Sequence, residues 1–505
     1  MACSDSGQRL VSYQELQRHN SKDSCWLLIH GKVYDLTSFL SEHPGGQRII
    51  LNQAGRDATA AFAEVHSEDV IARTLSPNLC VGVMDKNTMK GVAAPAVATP
   101  AQLFEQAEKI QPLNQIINLY DFELLARKRM ARPGWNYYSS GSDDEMCLRE
   151  NSDVYSRVWL IPRVMVDVSR IDFRTTILGF PSAAPFYMTA TALGRLGHPE
   201  GEVSLTRAAG AEGIIHMLPT LSSCSLDEMT GARVEGQTQF FQLYVNRDRD
   251  VTRRIIKQAE ERGCKALFIT VDAPTLGHRE KDMRTKFVDE PPTEMKGKAV
   301  KRDQGAARAI GSFIDPGLSW KDLAWFRSVT SLPLVLKGVQ CAADAVLAAR
   351  HGVAGIVLSN HGGRQLETAR SGLEILPDVV AALDAYYATE KPPSGRRLEV
   401  FIDGGVRRAT DIVKALALGA KAVGIGRPFL YANHGYGQRG VEKAIQLLKD
   451  ELHSVMMLLG APDIEAIVRD MVDAGSLKMH VGPPVINSLA QRVYEPLPLP
   501  GLSKL

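Results

Sequence analysis

From about residue 184 the chain repeats one pattern eight times: a short apolar run, a polar or glycine-rich turn, then an amphipathic helical stretch. The runs lie at 184–190, 213–218, 239–244, 266–272, 334–338, 355–360, 400–404 and 422–426, with helical patterns between them such as 248–262, 342–350 and 409–418. Runs that stay apolar without alternating are covered on both faces, which is the habit of parallel strands joined by crossover helices. Eight such units over about 250 residues predict an α/β fold of the (β/α)8 TIM-barrel type. A doubly wound open sheet is the alternative, but no run is followed by a GxGxxG fingerprint that would favour it.

A barrel keeps its chemistry on the loops after the strands' carboxyl ends, and polar residues recur there. Gln242 and Tyr244 end the third run, Thr270 and Asp272 the fourth, and Lys337 the fifth. The sixth run opens into Ser359-Asn360-His361-Gly362-Gly363-Arg364-Gln365. An imidazole takes a proton near neutral pH and a guanidinium clamps a carboxylate with paired hydrogen bonds, so this loop points to an enzyme acting beside a carboxylate. Singly, each residue has an ordinary explanation: a rim Asp caps a helix and a rim Lys is solvated. Their convergence at one mouth does not. Asp403-Gly404-Gly405-Val406-Arg407 and Gly426-Arg427 end the last two runs. Glycine-rich turns there aim backbone N–H groups at an anion, and with two arginines they suit the phosphate of a mononucleotide.

Residues 8–84 read as a module of their own, followed by a Pro/Ala-rich linker over 85–108. Short strands flank Gly31, and helical turns surround His43-Pro44-Gly45-Gly46, residues 47–51, residues 58–62 and His66. Two histidines across a pocket of Leu, Ile, Val and Phe are what low-spin haem iron requires. His43-Pro44-Gly45-Gly46, Gly55-Arg56-Asp57-Ala58-Thr59 and His66 together resemble the cytochrome b5 family. That resemblance implies a small α+β domain with haem b and makes His43 and His66 the axial ligands. A six-coordinate iron carries electrons and does not bind oxygen.

Composition narrows the partners. Charges nearly cancel, 59 basic against 57 acidic residues, so nucleic acid and anionic membranes are not expected. Seven scattered cysteines without a CxxC pair predict reduced thiols, not disulfides or a zinc site. No run is long enough to span a bilayer, and the first residues carry neither a signal-peptide core nor an Arg-rich presequence. The tail 496–505 ends Ser503-Lys504-Leu505, a peroxisomal address when strictly terminal, which predicts a peroxisomal import receptor as a partner. The mitochondrial intermembrane space and the cytoplasm are the alternatives.

Over about residues 110–495 the Ser359–Gln365, Asp403–Arg407 and Gly426-Arg427-Pro428 motifs resemble the FMN-dependent 2-hydroxy-acid oxidases and dehydrogenases. With the haem module in front, the whole resembles the flavocytochrome b2 family; the barrel is expected over 109–495. The resemblance implies FMN with its phosphate on Gly404, Gly405, Arg407, Gly426 and Arg427, and its ribityl hydroxyls on Asp403. Ala190, Thr191 and Ala192 would pass their backbone near the flavin, with Gln242, Thr270 and Ser359 hydrogen-bonding around it and Lys337 favouring its reduction. His361 would take a proton from the substrate and Asp272 would stabilise the imidazolium. Arg364, Arg279 and Tyr137 would hold the substrate carboxylate, and Tyr244 the hydroxyl or keto oxygen. Two positions depart from relatives: Leu221 replaces the tryptophan of glycolate oxidases, leaving room for a larger substrate, and Pro219 replaces a serine that bonds the flavin. Residues 289–312 predict a charged loop over the site.

The implied activity is oxidation of an L-2-hydroxy acid, by default L-lactate, with electrons passing through FMN and haem to a cytochrome c-like acceptor. Mandelate, glycolate and longer acids fit as well. An oxidase that hands electrons to oxygen and makes peroxide is the second reading. A redox sensor or electron carrier with an inert barrel, and a phosphate-sugar isomerase, are readings of another class. Relatives of this kind are usually homotetramers.

Overall fold

The computed structural model describes residues 111–284, 314–479 and, apart from 41–42, 44–46, 52, 64–69 and 72–74, residues 9–89. It divides into two compact units, one holding the first 110 residues and the other most of the remainder. The linker expected at 85–108 is described only to residue 89. His66, the loop expected at 289–312 and the tail at 496–505 lie outside the described residues.

In the first unit a five-stranded sheet runs in the order Leu10–Val11, Cys80–Met84, Lys32–Asp35, Ser24–Ile29, Asn20–Ser21. The strand Ser24–Ile29 is buried on both sides because it separates two apolar layers. Trp26 and Leu28 pack with Val11, Leu16 and Val33, while Cys25, Leu27 and Ile29 face Leu36, Leu40, Ile50 and Ala58. Helices Gln47–Leu51 and Thr59–Ala63 cover that second layer, close to the two stretches expected to be helical.

In the second unit the eight expected runs form a closed parallel barrel. Its strands are β1 Phe186–Met188, β2 His216–Leu218, β3 Gln239–Leu243, β4 Leu267–Thr270, β5 Leu334–Val339, β6 Gly355–Leu358, β7 Glu399–Asp403 and β8 Ala422–Ile425. β1 closes the ring against β8 through Val423↔Phe186, Gly424↔Tyr187 and Ile425↔Met188. Tyr187, Met217, Phe240, Phe268, Val335, Val357 and Phe401 fill the interior as a packed core. Ile177, Leu178 and Phe180, from the hairpin of strands Thr175–Ile177 and Phe180–Ser182, pack onto that core. The chemistry is therefore left to the other end.

Three helices ahead of the barrel matter for the site: α1 Leu119–Arg129, α2 Arg132–Ser139 and α3 Met146–Asp153. The amide of Asn118 caps α1 by accepting from Asp121 N at 3.0 Å. The carboxylate of Glu367, from the loop after β6, accepts from Met146 N and Cys147 N at 3.0 and 2.9 Å and closes the start of α3.

Candidate active site

The loop after β6 turns through three successive left-handed residues: His361 at φ +60°, Gly362 at +65° and Gly363 at +74°. For histidine that conformation costs on the order of 1 kcal/mol, and three bonds hold it. His361 N donates to Ser359 Oγ at 3.0 Å, Gly363 N to Asn360 Oδ1 at 3.0 Å, and Ser142 N to Gly363 O at 2.9 Å. The turn aims the imidazole across the barrel mouth. His361 Nδ1 lies 3.0 and 3.2 Å from the two oxygens of Asp272, and Nε2 lies 3.1 Å from Tyr244 Oη.

Burial pushes His361 below the ordinary histidine range, and the nearby Lys337 and Arg279 charges push the same way, against Asp272. Burial alone would raise Asp272, but the His361 ring and the Lys337 charge hold it below the usual carboxylate range. At neutral pH the pair is therefore carboxylate and neutral imidazole. An ionised carboxylate only accepts, so Nδ1 carries the hydrogen and Nε2 keeps a lone pair facing Tyr244. Burial also pushes the Tyr244 phenol up, which keeps its proton in place as a donor.

Beside this pair stand two guanidiniums. The Arg364 guanidinium lies 5.1 Å from the centre of the Tyr137 ring, and its Nη1 donates to Tyr137 O and Ser140 O at 2.8 Å each. Arg279 donates to Arg364 O at 3.2 Å and to Gln365 Oε1 at 3.1 Å. Gln365 in turn donates to the carbonyls of Asp272 and Thr275. Burial and the charge of Arg364 lower Arg279 to about 10, so it stays a cation at neutral pH. Among the described residues neither guanidinium meets a carboxylate in an ion pair. Two neighbouring cations outside any ion pair suit a carboxylate.

The other half of the mouth is a polar network. Lys337 Nζ pairs with Asp403 Oδ2 at 2.9 Å and donates to Ser359 Oγ at 3.3 Å. Gln242 Nε2 donates to Thr270 Oγ1 at 2.8 Å, and Gln242 Oε1 accepts from Thr220 N at 3.1 Å. Pro219, buried at the end of β2, supplies neither hydroxyl nor N–H there. Asp403 Oδ1, Thr189 Oγ1 and Tyr187 Oη are buried and find no partner within the protein. Orphaned oxygens at a barrel mouth call for a ligand rich in hydroxyls, and Asp403 is where the ribityl chain is expected.

Beyond them, Ala190, Thr191 and Ala192 follow β1, and Thr191 packs against Gly426. Arg407 donates to Glu123 of α1 at 3.1 and 3.2 Å. The half-buried Arg427 donates to Tyr138 O, Gly362 O and Ser140 O at 2.8–3.0 Å, so it ties the loop after β6 to the end of α2. Each guanidinium keeps N–H capacity for an anion. These residues fit a flavin mononucleotide.

The residues expected around the mouth are thus gathered there. The described half of the expected haem pair, His43, is half-buried; its ring meets Phe39 edge-on with centroids 5.9 Å apart, and Phe39 packs on the Leu36–Leu40–Ile50 layer. Thr189, Glu367 and Asn151 of α3 were not anticipated. Thr189 lies one residue ahead of the expected Ala190–Ala192 turn, so only its neighbours carried a signal. Glu367 and Asn151 act across more than 200 residues of sequence, and no local pattern marks them.

Residues 126–474 match the FMN-dependent dehydrogenase family, and residues 12–85 the cytochrome b5-like heme/steroid binding domain. The chain is 46% identical to the L-lactate dehydrogenase (cytochrome) of Wickerhamomyces anomalus, over 95% of this chain and 82% of that one. The glycolate oxidase of Spinacia oleracea is 40% identical over 71% of this chain and 96% of its own. A solved mutant flavocytochrome b2 with pyruvate bound aligns at TM-score 0.68 and 45% identity, over 78% of this chain and 95% of that one. A haem module, a flavin barrel and similarity that runs across both place the chain in the flavocytochrome b2 family, whose cofactors are FMN and haem b.

Proposed function

We propose that the protein oxidises an L-2-hydroxy acid, L-lactate first among them, to the 2-keto acid, with the electrons passing by way of FMN and haem to an external acceptor of the cytochrome c kind. The observation that carries this reading is the His361 ring held between Asp272 and Tyr244, beside two guanidiniums that form no ion pair among the described residues. FMN, when bound, supplies the two-electron acceptor. Arg279, Arg364 and Tyr137 orient the substrate by its carboxylate, and Tyr244 donates to the hydroxyl or keto oxygen. His361 Nε2 accepts a proton from the substrate, and Asp272 stabilises the imidazolium that forms. Lys337 places a cation where it favours electrons on the flavin.

Stopped-flow absorbance with L-lactate tests the reading: flavin bleaching followed by haem reduction is the expected sequence. Peroxide release without haem turnover would make the protein an oxidase of the glycolate oxidase type instead. Self-association belongs to the same reading. Trp159, Val164, Met165 and Leu458 are 69%, 84%, 101% and 79% exposed, and Arg163 N bonds Leu459 O, which brings the two segments together. An apolar strip of this kind suits an interface between copies. Light scattering that returns a tetramer mass supports it, and a monomer mass excludes it.

A further inference from the structure

Asn151 sits on α3, outside the barrel, and is 2% exposed. Its side-chain amide and that of Asn360 bond each other reciprocally. Asn151 Nδ2 donates to Asn360 Oδ1 at 2.8 Å, and Asn360 Nδ2 donates to Asn151 Oδ1 at 3.0 Å. Asn360 directly precedes His361, and its Oδ1 also accepts from Gly363 N at 3.0 Å. The bond that shapes the left-handed turn is therefore continuous with the bond to α3.

The other side of Asn151 meets the loop after β7. A Cβ built on Gly405, at φ +77°, would stand 1.7 Å from the Asn151 carbonyl oxygen. A Cβ on Gly404 would stand 3.2 Å from the Asn151 side-chain amide. Just past α3, Tyr155 Oη donates to Gly404 O at 3.2 Å. One buried asparagine thus touches the loop that carries the imidazole and the glycine turn expected to cradle phosphate. Nothing in the acid–base or carboxylate chemistry uses it.

We propose that Asn151 is a positioning residue that holds the loop after β6 and the glycine turn after β7 in one register, so that His361 and the phosphate cradle are set together. The proposal rests on the reading of His361 as base and of Gly404–Arg407 as phosphate site. Truncating Asn151 leaves the Asn360 amide with buried groups short of partners and opens space behind Gly404. A shift of about an ångström in a reacting group is enough to cost up to about a hundredfold in rate.

The test uses holoenzyme variants and two readouts: FMN release on dilution, followed by free-flavin fluorescence, and flavin bleaching by L-lactate across pH. Asn360→Ala is expected to slow bleaching about tenfold and leave FMN release unchanged, because Asn151 loses its amide partner but still packs against Gly404 and Gly405. Asn151→Ala is expected to slow bleaching and also to speed FMN release, each about tenfold, and to move the pH midpoint of bleaching. Asn151→Asp, nearly the same shape, keeps one of the two amide bonds but sets a carboxylate beside Gly404. It should release FMN faster than Asn151→Ala. The coupling is overturned if Asn151→Ala and Asn151→Asp lower only the unfolding temperature, or change one readout and not the other. His361→Gln and Arg407→Ala are run alongside. Should the first bleach at the wild-type rate, or the second hold FMN as firmly as the wild type, the reading of the site fails and the proposal with it.

Discussion

Gly338 makes room for Asp272. A Cβ on Gly338 would stand 2.5 Å from both Cβ and Cγ of Asp272, and Gly338 sits at φ +110° where the β5–β6 register slips between Lys337 and Val339. The bulge therefore sets the carboxylate against His361 Nδ1. Gly338→Ala is expected to displace Asp272 and to slow flavin bleaching by about a hundredfold, the same loss expected of Asp272→Asn. Gly395→Ala is the control: it has a similar left-handed conformation, φ +72°, but nothing within 4 Å. It should cost about 1 kcal/mol of stability and no rate. Equal rates for the two variants would mean that Gly338 does not position the carboxylate.

The protonation of His361 sets the pH dependence of bleaching. Its proton must be absent for Nε2 to act as base, so the rate rises with pH as His361 deprotonates. Burial holds the group below its ordinary value, so the acid limb should have its midpoint below about 6.5. Asp272 is the group that opposes this depression. In Asp272→Asn the plateau rate should fall while the midpoint moves to still lower pH. A midpoint that moves up would mean that the carboxylate does not favour the charged imidazole.

How much of this was legible in the sequence depends on the range over which each contact acts. The eight strands were, because each is buried over most of its length and its apolar residues are contiguous; Phe401 and Ile402 of β7 are both fully buried. Most of the runs extend beyond the strands they form, whereas β5 gains Val339 and β7 begins one residue earlier, at Glu399. The run at 266–272 shortens to Leu267–Thr270 because Val271 and Asp272 already belong to the mouth. His361, Arg364 and Lys337 were legible because the chemistry lies in the side chain itself. What stayed hidden was what holds them. The Asn151–Asn360 pair and the Glu367 cap on α3 join segments whose separation in sequence carries no pattern. The positive φ of His361 was equally invisible, since histidine rarely adopts it unless its surroundings impose it.

Lys337 and Asp403 are 5% and 7% exposed and 2.9 Å apart. Lys337→Met should therefore do two separable things. It leaves a buried carboxylate uncompensated, which costs about 3–5 kcal/mol, and it removes the cation near the flavin. The double variant Lys337→Met/Asp403→Asn should recover most of the stability in denaturant titration while bleaching remains slow. If stability and rate recover together, the lysine acts only as a partner for Asp403.

His216, on β2, gives the barrel an acid limit unrelated to catalysis. It is fully buried, its Nδ1 lies 3.0 Å from Thr206 Oγ1, and its Nε2 finds no partner within the protein. Burial lowers it to about 3, against an ordinary histidine near 6.5 once unfolded. Between those values the unfolded chain binds a proton that the folded barrel does not. Its contribution is then complete above about pH 6.5 and is lost as pH falls toward 3, at about 1.4 kcal/mol per pH unit. Replacing His216 with asparagine, which can still reach Thr206, removes the titration. Guanidinium unfolding followed by flavin release should show the wild type losing about 2 kcal/mol more than the variant between pH 6.5 and 5. Parallel losses in the two proteins would mean that carboxylates elsewhere, and not this imidazole, set the acid limit.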